Sequence, residues 1–544
     1  MLCLLVGSLY ANGHEGRKPP SGPVYVPLDS WVYPALKRLA ALGYAPDLDG
    51  LVAPWTRSQC TVLVEEAEDI VSRYSDKASA PKTNAEAVQL LSALEQEFLS
   101  SAPARTEARV ESIYTRFGEI SGEPLRDSYH FGQTLADDFA RPYASGPNLM
   151  AGFSAFGNAG RFSGYFRGEY QQAGSSAGYP ASLRTQIGQI DGVPPQPAGD
   201  VPPVSRFVPL EMYVGAALGS FNITVGKQSM WWGPGENSAF AFTDNAAPLY
   251  SMRIDQERPI ILPGPFRFLG HIRTQFLVGR LSGHQFPPGP WINAQKITFQ
   301  LTKDFELGFT RSAIFGGAGH PLTASSILKS FLSGSSTGGT AFGSANDPGD
   351  RRSGFDFKWR VPGLRRYLTV YSDSLADDEP NPLDAPRRSA WGPGIYVAQI
   401  PGLRRADFRF ETYSTLLYRG DAGGGFFYWN DQYRDAYTND GFLLGSWVGR
   451  DARAYEGSVS YWRTSQNKLS FSFRQIKTGG NFLPGGGTQT DVTVSGQWRL
   501  RPGWQATASV QYERYFIPVL GPPHTDVSGN LQFTFYPKHW VIRK

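Results

Sequence analysis

The sequence predicts an all-β transmembrane barrel of about 18 antiparallel strands, preceded by a small α-helical region. Three observations carry this. First, 13 Trp, 26 Tyr and 35 Phe accompany only 18% charged residues, and the mean hydropathy is −0.32. That composition opposes disorder. No run of 18 apolar residues occurs, so transmembrane helices are excluded while membrane-spanning strands are not. Second, from about residue 105 the apolar period is two. Ile297, Phe299 and Leu301 oppose Thr298, Gln300 and Thr302, and Phe355, Phe357 and Trp359 oppose Asp356, Lys358 and Arg360. Leu469, Phe471 and Phe473, then Val492, Val494 and Trp498, then Leu531, Phe533 and Phe535 repeat the pattern. Third, the polar face carries full charges in mid-strand, among them Asp356, Lys358, Arg409, Glu411 and Arg499. A soluble sheet of five- or six-residue strands would bury one face on a shared core. Longer strands, apolar outside and charged inside, fit a polar lumen within a lipid-facing wall.

The N-terminal segments follow other rules. Residues 1–13, MLCLLVGSLYANG, form a short apolar run ending in small residues and read as the tail of a secretory signal; the alternative is a frayed apolar terminus. Residues 28–100 are helical in texture and expected on the periplasmic side. Leu36, Leu39 and Ala40 recur at helical spacing, with Asp29 or Ser30 available as a cap. Thr56 with Gln59, and Thr83 with Glu86, have capping-box spacing. Val88, Leu91, Leu94 and Phe98 follow an apolar stripe. Of the two cysteines, Cys3 lies in the apolar leader and Cys60 reads as a small buried residue on a helix.

The barrel itself is assigned to residues 105–540. Its irregular stretches 171–205, 331–350, 372–390 and 419–440 exceed periplasmic turn lengths and are expected outside the cell.

Catalytic and metal chemistry have little foothold. Seven scattered histidines make no HExxH or Cys/His pattern, and no phosphate loop occurs. Gly334-Ser335-Ser336-Thr337-Gly338 fits GxSxG formally, but that motif needs a strand before it and a helix after it. Asp377, Asp378 and Glu379 could attract a cation; a solvated acidic loop is the commoner meaning. The net charge of +4 comes with no dense basic block, so nucleic acid is not an expected partner. The expectation is a non-enzymatic monomer without cofactor or metal.

The stretch GKQSMWWGPGENSAFAFTDNAAP resembles the signature region of the Wzi-type capsule assembly family. The likeness lies in Gly226-Lys227, in Trp231, Trp232, Gly233, Pro234 and Gly235, and in Ser238 through Asn245-Ala246-Ala247-Pro248. Segments resembling later family strands and loops follow in order through about residue 540, whereas residues 28–100 show no such match. The resemblance implies an outer-membrane barrel with a largely blocked interior that holds capsular or extracellular polysaccharide at the cell surface, with outer-membrane lipid around it. The alternative is a porin-like channel for small solutes.

Polysaccharide contact is expected where aromatic faces and planar hydrogen-bonding groups share a loop. Phe426, Phe427, Tyr428, Trp429, Asn430, Asp431, Tyr433 and Arg434 supply that mixture, and Arg387, Arg388 and Arg450 could fork carboxylates. The competing assignment packs these aromatics against one another. For the signature, adjacent residues leaving a strand face opposite ways. One of Trp231 and Trp232 is therefore expected in the interfacial girdle and the other in the lumen, anchoring a segment that closes the barrel.

Overall fold

The computed structural model describes residues 22–48, 50–75, 84–99, 106–195, 197, 199–333, 344, 347–364, 367–379, 389–416, 424–537 and 541–543. Residues 1–21, with Cys3, lie outside this set, as do Thr83, the GxSxG stretch at 334–338, and Arg387 and Arg388.

Eighteen long antiparallel strands close on themselves. They are β1 (Thr106–Ser121), β2 (Gly146–Ala159), β3 (Phe162–Ala173), β4 (Val204–Leu218), β5 (Phe221–Gln228) and β6 (Leu249–Gln256). Next come β7 (His271–Arg280), β8 (Trp291–Thr302), β9 (Phe305–Phe315), β10 (Asp350–Arg360), β11 (Leu368–Asp377) and β12 (Ser389–Val397). The circle ends with β13 (Ala406–Ser414), β14 (Ala452–Thr464), β15 (Asn467–Thr478), β16 (Gly487–Arg501), β17 (Trp504–Phe516) and β18 (His524–Phe535). The last strand pairs with the first, Phe535 opposite Ile113 and Val527 opposite Ser121, and a short extension, Val541–Arg543, pairs with the start of β1.

Alternation places side chains as expected. Leu469, Phe471, Phe473, Val494, Trp498, Leu531 and Phe533 are exposed on the outer face. Inner-face charges find partners inside the barrel: Lys296 Nζ lies 2.5 Å from Asp356, and Glu169 lies 2.6 Å from Arg141 of the connection after β1. An apolar outside in contact with acyl chains and a paired, hydrogen-bonded inside is the arrangement a bilayer demands.

One end of the barrel has tight turns, such as 160–161, 219–220, 465–466 and 502–503; the other carries the long connections. The helical region sits at the tight-turn end. Helix α1 (Val32–Ala41) buries Leu36, Leu39 and Ala40, and Ser30 Oγ accepts from Val32 N–H at its start. Helix α2 (Arg57–Ser75) opens on the expected reciprocal box: Thr56 N–H donates to Gln59 Oε1 and Gln59 N–H to Thr56 Oγ1, both at 3.0 Å. Cys60 is fully buried on it. Helix α3 (Ala85–Phe98) is capped by Asn84, whose side chain accepts from Glu86 N–H. Its buried stripe is Ala87, Leu90, Leu91 and Leu94; Val88 points outward, 44% exposed, which corrects the expected stripe by one position.

The segment leading into and between these helices enters the lumen. Tyr25 donates to Asp255 at 2.6 Å, Asp29 pairs with Arg167 at 2.6 Å, and Gln275 and Thr298 donate to the carbonyls of Val52 and Gly50. Two helices also occur in connections that composition alone presents as irregular: α4 (Ala181–Asp191) and α5 (Ala324–Leu332).

Candidate functional site

The lumen is filled from both ends. From the long-loop end, the chain leaves β5 at Gln228 and dips inward as residues 229–248 before rejoining the wall at β6. Trp232 is completely buried. Its N–H donates to Phe242 O at 3.0 Å, and its ring meets Phe242 edge-on at 5.0 Å. Phe240, Tyr413, Phe427, Tyr428, Tyr437 and Trp447 join it in one apolar cluster inside the barrel. Trp231 does not reach the girdle, a correction to the expected alternation. The strand ends at Gln228, three residues before it, so period-two geometry no longer applies there. Instead its N–H donates to Ala53 O at 3.2 Å, and its indole N–H closes over the Gly-Pro-Gly turn onto Gly235 O at 2.9 Å. The signature loop and the N-terminal region thus meet mid-lumen.

Lumenal carboxylates hold the turn. Glu411 on β13 accepts from the backbone N–H groups of Glu236 and Asn237 at 2.9 and 3.1 Å, and from the hydroxyls of Tyr371 and Tyr413. Asp373 on β11 accepts from Phe240 N–H at 2.8 Å. A Cβ on Gly233 would lie 2.6 Å from the Ala239 side chain, so the small residue is needed for this approach. Glu236 pairs with Lys37 of α1 at 2.6 Å. Burial opposes its charge, but Lys37 and Arg409 outweigh that and hold the Glu236 carboxyl at about 2.

Asn245 and Pro248 are buried at the far side of the loop. The Asn245 amide donates to Leu443 O and Ser128 Oγ, and Thr243 bonds Leu444 and Gly445. The signature therefore also fixes the connections above it.

Those connections form the outer roof. Tyr428, Asn430 and Tyr433 turn inward. The Tyr428 hydroxyl donates to Phe240 O at 2.7 Å and accepts from Ser446 N–H at 2.9 Å, and its ring stacks on Tyr437. Asn430 Oδ1 caps the amides of Gln432 and Tyr433. These residues hold the loop together, as the competing assignment had it. Trp429 and Arg434 reach outward. The half-buried Trp429 donates to Asp191 O, and the exposed Arg434 donates to Gly192 O at 3.1 Å, both at the end of α4. Half-buried Phe426 lies beside Trp429, and Asp431 is exposed nearby.

Arg450 is buried rather than presented. It pairs with Asp191 at 2.5 Å and lies over the rings of Tyr129 and Phe482. Beside it His130 bridges Asp127 (2.7 Å) and Asp191 (2.6 Å). Burial lowers the tendency of this imidazole to charge, but the two carboxylates dominate and raise its pKa to about 9. Three connections, 122–145, 174–203 and 415–451, are locked by this knot. Sequence reading passed over His130 and Asp191. Gly192, at φ +75 directly after α4, is the one local signal of that helix end. Asp377 and Asp378 gather with Asp350, but Arg352 lies between, donating to Asp350 at 2.6 Å and ion-paired with Asp377 at 2.8 Å. An internal cation already occupies the expected acidic cluster, and Asp377 also accepts from Tyr428 N–H.

Lumenal space remains alongside β1, β17 and β18. Two cavities of about 300 and 400 Å³ share Arg116, Asp137, Asp138 and Gln532. Residues 133–134 are latched above the smaller one by wall side chains: Gln511 donates to Thr134 O at 2.9 Å, Gln489 to Gln133 O at 3.2 Å, and Thr134 to Glu513 at 2.8 Å.

A signature loop folded into an eighteen-strand barrel is matched by family comparison. The sequence model of the capsule assembly protein Wzi matches residues 116–526. The chain belongs to the Wzi capsule assembly family. As a family member with an apolar outer wall, it is a barrel of the bacterial outer membrane. An uncharacterized 55.8 kDa protein in the cps region of Klebsiella pneumoniae is 28% identical over 161 residues, 29% of this chain and 31% of that one. The match thus spans about a third of the length of this relative. Among solved structures, the chain is similar to Wzi of Escherichia coli, described as an outer membrane carbohydrate-binding β-barrel involved in group 1 capsule assembly. The TM-score is 0.64 at 16% identity, over 95% of this chain and 99% of that one. That likeness establishes the fold.

Proposed function

We propose that this protein retains capsular or extracellular polysaccharide at the outer face of the outer membrane, as a rigid, non-catalytic anchor without cofactor, metal or nucleic acid. The observation that carries this is the doubly filled lumen. Trp232 and its apolar cluster occupy the barrel from one side, and residues 24–29 and 50–53 enter it from the other, joined at Trp231 and Ala53. A wall of this circumference would otherwise enclose an aqueous channel. Filling it makes a platform, and the knotted connections make that platform stiff, which lowers the ordering cost of binding a flexible chain. In this reading the helical region, residues 28–100, faces the periplasm, the barrel (residues 105–540) spans the membrane as a monomer, and residues 1–13 direct export.

The contact surface is the outer edge of the aromatic connection. Trp429 offers a ring face and Arg434 a planar cation, with Arg387 and Arg388 as further carboxylate partners. Tyr428, Asn430 and Tyr433 act by holding that edge in place.

Deletion of the gene, with cell-attached and shed polysaccharide measured separately, tests the reading. Loss of the attached fraction is expected, restored by the wild-type gene. Trp429→Ala with Arg434→Ala should restore assembly while leaving polysaccharide shed. Unchanged retention after deletion, together with a stable large conductance of the purified protein in planar bilayers, would replace the anchor by a channel.

A further inference from the structure

Helices α1 to α4 bury apolar residues, as helices in contact with water do. Helix α5 does the reverse. Its buried residues are Ser326 and Ser330, one turn apart, whereas Ile327, Leu328 and Leu332 are 40, 59 and 62% exposed. Leu322, just before the helix, is 46% exposed. The helix is locally well specified: Thr323 and Ser326 form a reciprocal capping box.

What the serines bury against explains the inversion. Strand β8 points Ala294, Lys296, Thr298 and Gln300 into the barrel, where Lys296 meets Asp356 and Thr298 meets Gly50. The alternate residues Asn293 and Gln295 therefore point out of the wall. Asn293 Nδ2 donates to Ser330 Oγ at 2.7 Å, and Gln295 Nε2 to Phe331 O at 3.0 Å. Outward-facing Arg311 of β9 and Arg351 of β10 donate to Ser333 O. Helix α5 thus lies on the external surface of the barrel, covering polar side chains that the wall turns toward its surroundings.

The height of this patch matters. Leu301, Phe299 and Ile297 on β8 form the lipid-facing wall rising from the tight-turn end, continued sideways by Leu307, Phe309, Phe355 and Phe357. From Leu301 to Asn293 the strand climbs about 20 Å at a 35–45° tilt, inside an apolar belt about 25 Å tall. Without a cover, an amide pair and two guanidinium groups would stand in hydrocarbon without the partners that water gives them. With the cover, the surface presented at that height is Ile327, Leu328 and Leu332.

We propose that α5 is a lipid-facing element, laid against the outside of β8–β10 and contacting the acyl chains of the outer leaflet. The occupant follows from continuity: the exposed leucine face extends the apolar wall directly beneath it. Lys329 is compatible with this depth because a lysine stem snorkels its ammonium to the headgroup zone. The proposal depends on the barrel spanning a membrane and is independent of what the outer roof binds.

Full-length protein carrying Leu328→Cys, Leu332→Cys or, as a water-facing reference on α4, Ser182→Cys tests it. Each is made with Cys3→Ser, labelled with bimane and reconstituted in phosphatidylcholine–phosphatidylglycerol vesicles; Cys60 is buried and remains. Doxyl-labelled acyl chains should quench the label at 328 and 332 several-fold more strongly than at 182, and aqueous iodide should show the opposite order. Iodide quenching at 328 and 332 equal to that at 182 overturns the proposal. So does absence of doxyl quenching, whether or not the L328C variant forms a disulfide between copies. Such a disulfide would assign the face to a second copy of the chain.

Discussion

The lumen is closed by two materials. On the side of β5 to β13 the filler is apolar, with Trp232, Phe240 and Phe242 buried among tyrosines and Trp447. On the side of β15 to β18 the closure is polar, with Gln133 and Thr134 suspended from Gln489, Gln511 and Glu513 beside unfilled space. Apolar burial contributes about 25 cal/mol per Å², so one indole outweighs several hydrogen bonds worth about 1 kcal/mol each. The first closure is therefore the structural plug, and the second behaves as a seam.

Removing the center of the plug should have the largest effect. Trp232→Ala leaves a cavity in a packed core and is expected to cost about 3–5 kcal/mol. Reduced resistance to unfolding in detergent and stepwise currents in planar bilayers would both report it. Trp231→Ala, half-buried and with its backbone bond to Ala53 intact, should do much less. Equal effects would mean that the two tryptophans share one role.

Next in size is the anchor on the wall. Glu411→Ala strands two backbone N–H groups and the Tyr371 hydroxyl in the lumen, leaving the Tyr413 hydroxyl only Ser238 O. Hydrogen bonds to a charged acceptor contribute about 1.5–3 kcal/mol, so loosening of the Gly-Pro-Gly turn is expected. Proteolysis of vesicle-embedded protein within residues 229–248 should then become detectable.

Glu411 also illustrates what was legible beforehand. The wall was, because a two-residue period with charges on one face has few other physical explanations, and Thr56 with Gln59 announced α2. The interior was not. Glu411 lies 175 residues beyond the amide of Glu236 it accepts from, and nothing local in either segment announces the other. For the aromatic connection, sugar contact and mutual packing both stand open in the sequence, because composition cannot say whether Tyr428 faces sugar or Phe240. Trp429 and Arg434 do reach its outer edge, while Tyr428, Asn430 and Tyr433 do not. Helices α4 and α5 were hidden for different reasons. The first carries Gly188 within it and lies in a Gly- and Pro-rich connection, and the second inverts the apolar pattern by which helices are recognised.

The His130 knot gives a smaller, pH-dependent effect. Its folded pKa, about 9, lies above the ordinary value near 6.5, so protonation favours the folded protein. The contribution is complete below about pH 6.5 and is lost as pH rises through about 9. Thermal stability of the wild type should fall across that window relative to His130→Gln, which carries no titrating ring. Parallel profiles for the two proteins would remove His130 from the account.

The smallest expected effect separates seam from plug most sharply. Gln511→Ala removes one donor to Thr134 O, worth about 0.5–1.5 kcal/mol, and Gln489→Ala removes the donor to Gln133 O together with its bonds to Asp491 and Glu513. Global stability should stay close to wild type, because the apolar cluster around Trp232 is untouched. The segment itself has less to hold it, and Asp137, whose carboxyl burial raises to about 7, is costly to keep there ionised. Brief, small current events should therefore appear in the double variant above pH 7 and fade below it, where a neutral Asp137 is tolerated beside Asp138. Large, pH-independent openings would show that the seam bears as much of the closure as the plug. Complete silence would place the barrier in the N-terminal region instead, where Tyr25, Asp29 and Val52 meet the wall.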